Sequence, residues 1–302
     1  MENSDFGLML FDRLEIIKTA YTKYDLENKS YLSFSGGKDS AILSHLLDMA
    51  IPNNKIPRVF IDTGIEYKLV RDFVIEQAEK DERFVIIKPS TPIIPMLKKY
   101  GYPFKSKAHA HNVSIYQHSG LTKAVKNYLG IIGKATKFKC PKMFQYQFTE
   151  QFKLKISEQC CNQLKKKPVK KWEKENNRFI TLTGMRREEG GNRAELKGCI
   201  LTDKNGNVKK FHPLLVVTEE WEEEYIKQFS VELSKIYSPP YNFKRSGCKF
   251  CPFALDLGKQ LEVAYRLMPE EAKMGEIIWK PVFDEYRRLN YRLKKTEQIK
   301  LF

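Results

Sequence analysis

A glycine turn between two apolar segments carries the residues best suited to chemistry in this chain. Residues 33–40 read Ser-Phe-Ser-Gly-Gly-Lys-Asp-Ser; the apolar pair Tyr31-Leu32 precedes them and Ala41-Ile42-Leu43 follows. A strand that enters a helix through such a turn directs the first N–H groups of the helix at one place, where the helix dipole adds positive potential. The pattern predicts a phosphate site, and it favours the pyrophosphate end of ATP or of a related adenylate.

Side chains around this turn extend the predicted site. The residues expected to bind the nucleotide here are Ser33, Ser35, Gly36, Gly37, Lys38, Asp39 and Ser40. A second apolar strand ends at Asp62-Thr63, and ligands of parallel sheets bind at the carboxyl ends of strands, so both residues are expected in the same crevice. Asp39 and Asp62 are candidate oxygen ligands for Mg²⁺, and Lys38 would stabilise charge that develops on phosphate. An ordinary strand-to-helix turn is the alternative.

The composition indicates a polyanionic partner as well as a nucleotide. The 302 residues include 53 Lys and Arg against 37 Asp and Glu, a formal net charge of +16. Such an excess suits DNA or tRNA, although a solvated basic surface is the alternative. No apolar run is long enough for a transmembrane helix, and residues 1–11 do not resemble a signal peptide. The sequence therefore predicts a cytoplasmic protein with no membrane partner.

Four of the six cysteines form a second candidate site. Cys160 and Cys161 are adjacent, and Cys248 and Cys251 form a C-x-x-C pair. Thiolates at these spacings hold an iron–sulfur cluster or zinc, or they act as free redox thiols. Adjacent cysteines favour a cluster, since its separate iron corners accommodate them better than one zinc ion. The remaining two are Cys140, whose basic neighbours suggest a reactive thiol with a lowered pKa, and Cys199, expected to be a buried small residue.

Alternating strands and helices predict an α/β fold with a parallel twisted sheet and helices on both faces. The expected strands are Tyr31–Phe34, Val59–Asp62, Phe84–Lys88 and Phe179–Thr183. The expected helices are residues 6–26, Ser40–Met49, Tyr67–Lys80, Glu219–Phe229, Leu257–Leu267 and Glu276–Leu293. The last two helices lead to a division into a nucleotide-binding domain with the cysteine site over residues 1–255 and a helical C-terminal extension over residues 256–302.

Six motifs in matching order, over residues 28–255, resemble the phosphoadenosine-phosphosulfate (PAPS) reductase family. They are Ser35-Gly-Gly-Lys-Asp-Ser40, which resembles its PP-loop, Phe60-Ile-Asp-Thr-Gly64, Cys160-Cys161 with Lys165 and Pro168, Thr183-Gly-Met-Arg186 with Arg193, His212-Pro-Leu214 before Thr218-Glu-Glu-Trp221, and Gly247-Cys248-x-x-Cys251. The resemblance implies an adenine nucleotide alpha-hydrolase-like fold. It also implies a [4Fe–4S] cluster on Cys160, Cys161, Cys248 and Cys251, and a nucleotide site that includes Gly184, Arg186 and Arg193.

Within this resemblance Arg186 and Arg193 would face a phosphate or sulfate, and surface ion pairs with Glu188 and Glu189 are the alternative. The chain resembles compact members without the C-terminal catalytic cysteine tail, because no cysteine follows Cys251. Its implied activity is therefore ATP pyrophosphatase or adenylation chemistry coupled to sulfur transfer from a sulfur donor, with nucleic acid as one acceptor. The alternatives are reduction of an adenylyl sulfate to sulfite with a thiol reductant protein, and a non-catalytic nucleotide- or nucleic-acid-binding protein.

Overall fold

The structure is a computed structural model that describes residues 3–133 and 139–294. The chain forms two compact units that are both discontinuous in sequence. The first unit contains residues 1–62, 68–88 and 169–246, and the second contains residues 63–67, 89–168 and 247–302. The sequence-based boundary after residue 255 stays a prediction, because compactness alone does not delimit a family domain.

The first unit is built on a six-stranded sheet that confirms the predicted α/β fold. Its strands are β1 (Ser30–Ser33), β2 (Arg58–Ile61), β3 (Phe84–Ile87), β4 (Ile180–Leu182), β5 (Ile200–Thr202) and β6 (Val208–Phe211). The order across the sheet is β3-β2-β1-β4-β6-β5, and every pair is parallel except the antiparallel pair of β5 with β6. The chain thus adds β2 and β3 on one side of β1 and then β4, β5 and β6 on the other side.

Helices connect these strands and form the second unit. In the described ranges they are α1 (Asn3–Tyr24), α2 (Leu26–Lys29), α3 (Lys38–Ala50), α4 (Lys68–Lys80), α5 (Ile93–Tyr100), α6 (Lys107–Ser119), α7 (Lys123–Leu129), α8 (Lys167–Glu175), α9 (Glu219–Phe229), α10 (Leu257–Leu267) and α11 (Pro269–Arg288). None of them is both long enough and apolar enough to cross a lipid bilayer.

Alternating residues of the central strands build a core on each face of the sheet. Leu32 and Phe60 join a large cluster with residues of α1, α3 and α9, whereas Tyr31 and Val59 pack with Trp172 of α8 on the opposite face. This alternation follows from the two-residue repeat of a strand, which turns neighbouring side chains to opposite faces. The predicted helices on both faces of the sheet are therefore confirmed.

The second unit is helical and has an aromatic core. Phe104 contacts Phe144 and Tyr286 edge to face, with ring centroids 5.7 and 4.8 Å away. Buried among them, His109 bonds Tyr128 through Nδ1 and Gln147 through Nε2, at 2.9 and 2.7 Å. Burial lowers the pKa of His109 to about 4, so the ring is neutral at physiological pH. Its two fixed hydrogen bonds indicate a structural role in this core.

Two strands and five helices, α2 and α5 to α8, had no counterpart in the sequence-based prediction. Both strands, β5 and β6, are short, and β6 carries two exposed lysines between Val208 and Phe211. Predicted to begin at Glu276, the last helix instead begins at Pro269, where a proline suits the first turn because that N–H needs no helical partner. Three of the unpredicted helices, α5, α6 and α7, lie in a stretch whose apolar spacing is irregular.

Candidate functional site

The predicted phosphate turn is a tight loop in the first unit, and the position of Gly36 in this loop accepts only glycine. Gly36 has φ +70°, and Gly37 caps the N-terminus of α3. A Cβ on Gly36 would lie 2.7 Å from Cγ1 of Val70 and 2.9 Å from Cγ2 of Val74. The close packing of α4 therefore excludes a side chain here, in addition to the left-handed backbone.

Two serines stabilise this loop by bonding to each other and to its backbone. Ser40 Oγ donates to the Gly37 carbonyl at 2.8 Å and accepts from the Ser35 N–H at 3.2 Å. Ser35 Oγ accepts from the Gly37 N–H at 3.2 Å. A Cβ on Gly37 would lie within 3.4 Å of Tyr237 and Ser246 oxygens, so polar groups the sequence analysis missed also line the loop.

The loop follows β1, the strand at which the strand order of the sheet reverses. β1 and β4 are parallel neighbours with Leu32 opposite Leu182, so the segments that leave them emerge side by side. Crevices at such points are the usual ligand sites of open α/β sheets. A Cβ on Gly184, which follows β4, would lie 2.5 Å from the Asp39 carbonyl oxygen. Gly184 therefore lets the segment after β4 approach the first turn of α3.

This close approach brings together four charged side chains, which we call the charged cluster: Lys38, Asp39, Arg186 and Glu222. Arg186 Nε lies 3.2 Å from Glu222 Oε1 and 3.7 Å from Asp39 Oδ1. Lys38 Nζ lies 3.7 Å from Glu222 Oε2. Glu222 is 0% exposed, and within the described chain neither of its carboxylate oxygens has a hydrogen-bond partner. It is thus a buried acid between two cations.

Burial perturbs both acids of the charged cluster. The pKa of Glu222 is raised to about 8, first because the site is desolvated and second because Asp39 is negative nearby, against the opposing effect of Arg186 and Lys38. Desolvation likewise raises the pKa of Asp39, and Arg186 opposes the shift. The sequence analysis missed Glu222, although its position between Trp221 and Tyr225 on the buried face of α9 was a usable signal.

The two predicted anion-binding arginines occupy different surroundings. Arg186 belongs to the charged cluster and also donates through Nη1 to Glu188 Oε2 at 2.8 Å. The same Glu188 oxygen accepts from the N–H of Glu219 at the start of α9. Arg193 is 40% exposed, and its guanidinium pairs with Glu189. The ion pairs with flanking acids, named above as an alternative, are thus present for both, but only Arg186 joins the charged cluster.

Asp62 and Thr63 directly follow β2, and each is hydrogen-bonded by a neighbour. Asp62 Oδ2 accepts from Arg71 Nε of α4 at 3.0 Å. Thr63, in the second unit, donates from its backbone N–H and from Oγ1 to the Glu66 carboxylate at 2.7–3.0 Å. Ser33 is half-buried at the end of β1. A magnesium ion on Asp39 and Asp62 stays a prediction.

All four cysteines of the predicted cluster site belong to the second unit. Cys160 and Cys161 open a helical segment that runs through a π-turn, Asn162–Lys166, into α8. Such π-turns occur mainly at functional positions in proteins. Cys251 donates its N–H to the Cys248 carbonyl at 3.1 Å, which makes the C-x-x-C segment a tight turn. Each cysteine pair thus belongs to a compact backbone feature. We call residues 248–251 the cysteine turn.

The four thiols share one electrostatic environment. A hydrogen bond from Cys160 lowers the pKa of Cys161 to about 6, and the positive charges of Lys107 and Lys165 lower it further. Burial first and Cys248 second raise the pKa of Cys251 to about 12. Cys161 and Glu66 also contribute to the raised pKa of Cys248, after burial. Thiols that shift one another's pKa in this way are chemically suitable as ligands of one shared group.

The distances, however, do not complete a ligand set. Within residues 3–133 and 139–294, no three His, Cys, Asp or Glu side chains are grouped as metal ligands. A cation is already in place beside the thiols, because Lys165 Nζ lies 3.8 Å from Glu66 Oε1 and Cys248 is the main cause of the raised pKa of Lys165. Thiolate donors and a neighbouring lysine nevertheless fit an anionic iron–sulfur cluster in their chemistry.

The other two cysteines differ from expectation. The suggestion of a lowered pKa at Cys140 is wrong, because burial raises its pKa to about 11 despite Lys105 nearby. Lys137 and Phe138 of its basic stretch lie outside the described residues. Cys199 is half-buried and not fully enclosed, and its sulfur lies 3.6 Å from Nη1 of Arg13, which donates to it. The buried Cys140 thiol therefore lacks the surroundings of an activated nucleophile.

Comparisons with known proteins give a family and several similar folds. A model of the phosphoadenosine phosphosulfate reductase domain matches residues 29–134 and 121–254. The Methanocaldococcus jannaschii protein MJ0973 is 26% identical over 250 residues, which are 80% of this chain and 46% of that protein. The chain therefore spans about half the length of this curated relative.

Two solved structures align with most of this chain at low sequence identity. The PAPS reductase of Candida auris, in a phosphate complex, aligns with a TM-score of 0.48 and 13% identity over 82% of this chain and 96% of that one. The FMN adenylyltransferase of Candida glabrata, in complex with FAD and inorganic pyrophosphate, aligns with a TM-score of 0.47 and 14% identity over 81% of this chain and 63% of that one.

Proposed function

This chain belongs to the phosphoadenosine phosphosulfate reductase domain family, and we propose that it is a PP-loop enzyme that cleaves ATP between the α- and β-phosphates and couples adenylation to sulfur transfer. The charged cluster is the observation that carries the proposal. Lys38 and Arg186 come from two segments after neighbouring strands, and both lie within 4 Å of Glu222 next to the glycine turn. Two cations beside a helix N-terminus suit a departing pyrophosphate.

In the proposed reaction the acceptor oxygen attacks the α-phosphorus of ATP. The bond from that phosphorus to the bridging oxygen breaks, pyrophosphate leaves with the bonding electrons, and the acceptor proton passes to solvent. Backbone N–H groups of the turn, with Lys38 and Arg186, would hold the charge that grows on the leaving group. A sulfur nucleophile would then displace AMP from the activated acceptor. Asp39 and Asp62 are the proposed oxygen ligands for Mg²⁺.

The cysteines of the second unit would supply the sulfur side of this reaction. Cys160, Cys161, Cys248 and Cys251 would hold a [4Fe–4S] cluster, with Lys165 offsetting part of its negative charge. When bound, such a cluster can carry sulfur or activate it for transfer. The chain's own part is to keep the four thiols, one buried and three half-buried, near the cation Lys165.

An anaerobic turnover assay tests the proposed reaction. Protein is incubated with ATP, sulfide and a nucleic-acid acceptor (bulk tRNA or a DNA duplex), or with an adenylyl sulfate and a thiol reductant, and pyrophosphate, AMP and sulfite are quantified. Pyrophosphate release from ATP is expected, and Arg186→Lys should reduce it about tenfold or more, because lysine cannot reproduce the guanidinium fork. Arg187→Lys is the matched control, since Arg187 is exposed.

Each alternative function has its own outcome in this assay. Sulfite from an adenylyl sulfate, without pyrophosphate from ATP, would replace the proposal with a reductase. Nucleotide binding with neither product would indicate a non-catalytic binding protein. Activity that survives Arg186→Lys unchanged would contradict the role given to the charged cluster.

A nucleic-acid acceptor is favoured by one specific feature, the exposed lysines of α8 in the first unit. Lys170 and Lys174 are exposed and four residues apart, which spaces them about 6 Å apart along the helix. In the described chain neither of them lies within 4 Å of a carboxylate, whereas Lys171 pairs with Glu175. Free cations at such intervals suit the phosphates of a nucleic-acid strand.

We expect the double variant Lys170→Gln, Lys174→Gln to weaken binding of bulk tRNA or of a DNA duplex. The slope of log affinity against log salt should fall by about 2, since each lost phosphate contact removes somewhat less than one counterion. Binding measured from 50 to 200 mM salt checks this. Exposed lysines on other elements, Lys227 and Lys273, provide a control of equal charge, and an equal loss in that control would reduce the effect to net charge alone.

A further inference from the structure

One face of α11 is devoted to the cysteine turn. Glu271, Gly275, Trp279 and Tyr286 are spaced by four, four and seven residues, so they lie on a single stripe of the helix. Each of them contacts a residue between Lys249 and Pro252, all within the second unit. A helix that lies beyond the last cysteine in sequence is thus the main support of that cysteine pair.

Glu271 and Trp279 hold Lys249 at its side-chain end and at its backbone. Its Nζ lies 2.6 Å from Glu271 Oε2, and both side chains are almost buried, with 11% and 13% exposed. Its backbone carbonyl accepts from Trp279 Nε1 at 2.9 Å. A buried ion pair is strongly destabilising when one partner is removed, so this pair fixes the residue that directly follows Cys248.

Gly275 contacts Phe250, the residue directly before Cys251. Phe250 is fully buried and has φ +49°, an unfavourable value for a bulky side chain that persists only where the surroundings enforce it. A Cβ on Gly275 would lie 2.3 Å from Cδ2 of Phe250. Tyr67 packs edge to face on the same ring, with centroids 5.3 Å apart. Gly275 therefore provides the space in which Phe250 can take this conformation.

The last contact lies just past the second cysteine. Tyr286 Oη donates to the Pro252 carbonyl at 2.8 Å, and the guanidinium of Arg292 donates to the same oxygen. The backbone is thereby held immediately after Cys248, immediately before Cys251 and immediately after it. The direction of the Cα–Cβ bond of each cysteine is therefore held by these contacts.

We infer that α11 positions Cys248 and Cys251 as ligands, with Glu271 and Gly275 as its positioning residues. The nature of the ligated group rests on the proposed function, whereas the support of the turn does not. Neither residue touches the bound group; both act through Lys249 and Phe250. The geometry of the turn would then be set before any group binds.

The test compares Glu271→Gln and Gly275→Ala with the control Glu270→Gln, an exposed neighbour on the same helix. Alkylation rates of each cysteine are mapped in the metal-free chain by peptide mass analysis, and iron and sulfide are measured after anaerobic reconstitution. Cys248 and Cys251 should react about tenfold faster in both variants, with Cys199 of the first unit unchanged, and bound iron should fall by half or more. Adding Phe250→Leu to Gly275→Ala should restore both values, which a merely structural loss would not do.

Unchanged alkylation of Cys248 and Cys251 in a folded Glu271→Gln variant would overturn the inference. If Gly275→Ala exposes every cysteine alike, including Cys199, the fold itself has failed, and Glu271→Gln decides by the same rates. Wild-type protein that binds no iron would sink the cluster in the proposed function, while the alkylation rates would still test the support of the turn.

Discussion

Gly184→Ala is expected to remove most nucleotide affinity, because the new methyl group has no place to go. It would lie 2.5 Å from the backbone oxygen of Asp39 and 2.7 Å from its backbone carbon. Backbone atoms cannot turn away as a side chain can, so the segment after β4 must separate from the start of α3. That movement carries Arg186 away from Lys38 and opens the charged cluster.

Overpacking of this kind costs about 1–3 kcal/mol in the free energy of unfolding. A similar loss in binding free energy would weaken nucleotide affinity by about 10- to 100-fold. Calorimetric titration with ATP or pyrophosphate, together with denaturant unfolding, measures both quantities. Gly198→Ala is the control, since a Cβ there meets no atom within 4 Å. Equal affinity in both alanine variants would show that the close approach at Gly184 does not matter for binding.

Glu222→Gln is expected to alter how stability depends on pH. The pKa of Glu222 is raised to about 8 in the fold, above its ordinary value of 4.5. Below about pH 4.5 both states hold the proton, and the residue contributes no pH dependence. Between these pKa values the unfolded chain loses the proton and the folded chain keeps it, so the free energy of unfolding falls as pH rises, by up to about 1.4 kcal/mol per unit.

Glutamine cannot ionise, so the variant lacks this decline. Its stability relative to the wild type should therefore increase from pH 5 to pH 8, by a few kcal/mol at most, with Asp39 sharing part of the effect. Guanidinium unfolding at pH 5, 6.5 and 8 provides the measurement. Glu223→Gln serves as the control because Glu223 is exposed on the same helix. A difference between variant and wild type that stays constant with pH would contradict a buried, protonated Glu222.

Local signals in the sequence were sufficient for the main elements of the first unit. The glycine turn after an apolar strand predicted the start of α3 to within two residues, and α9 begins at Glu219 as predicted, after Thr218, whose side chain accepts from the Trp221 N–H. In these cases the determinants are adjacent in the chain, because caps and turns depend on a few consecutive residues. Strand β1 was likewise predicted to within one residue at each end.

What the sequence did not predict depends on partners that are distant along the chain. The apolar face of α9 could indicate that Glu222 is buried, but its cationic partners, Arg186 and Lys38, are distant along the chain. Likewise Glu271 and Gly275 carry no signal of their own, since their importance arises from Lys249 and Phe250. Periodicity assigns a residue to a face of a helix, but it does not say which side chain it meets there.

The division of the chain into two units has a consequence for the order in which they can be completed. The chain passes between them five times, after residues 62, 67, 88, 168 and 246. On the ribosome, the sheet of the first unit is fully synthesised by residue 246, whereas Cys160 and Cys161 must wait for residues 247–288 before the turn and the helix that supports it exist. The phosphate loop can therefore mature before the thiols are enclosed, and no cut at a single position yields either unit alone.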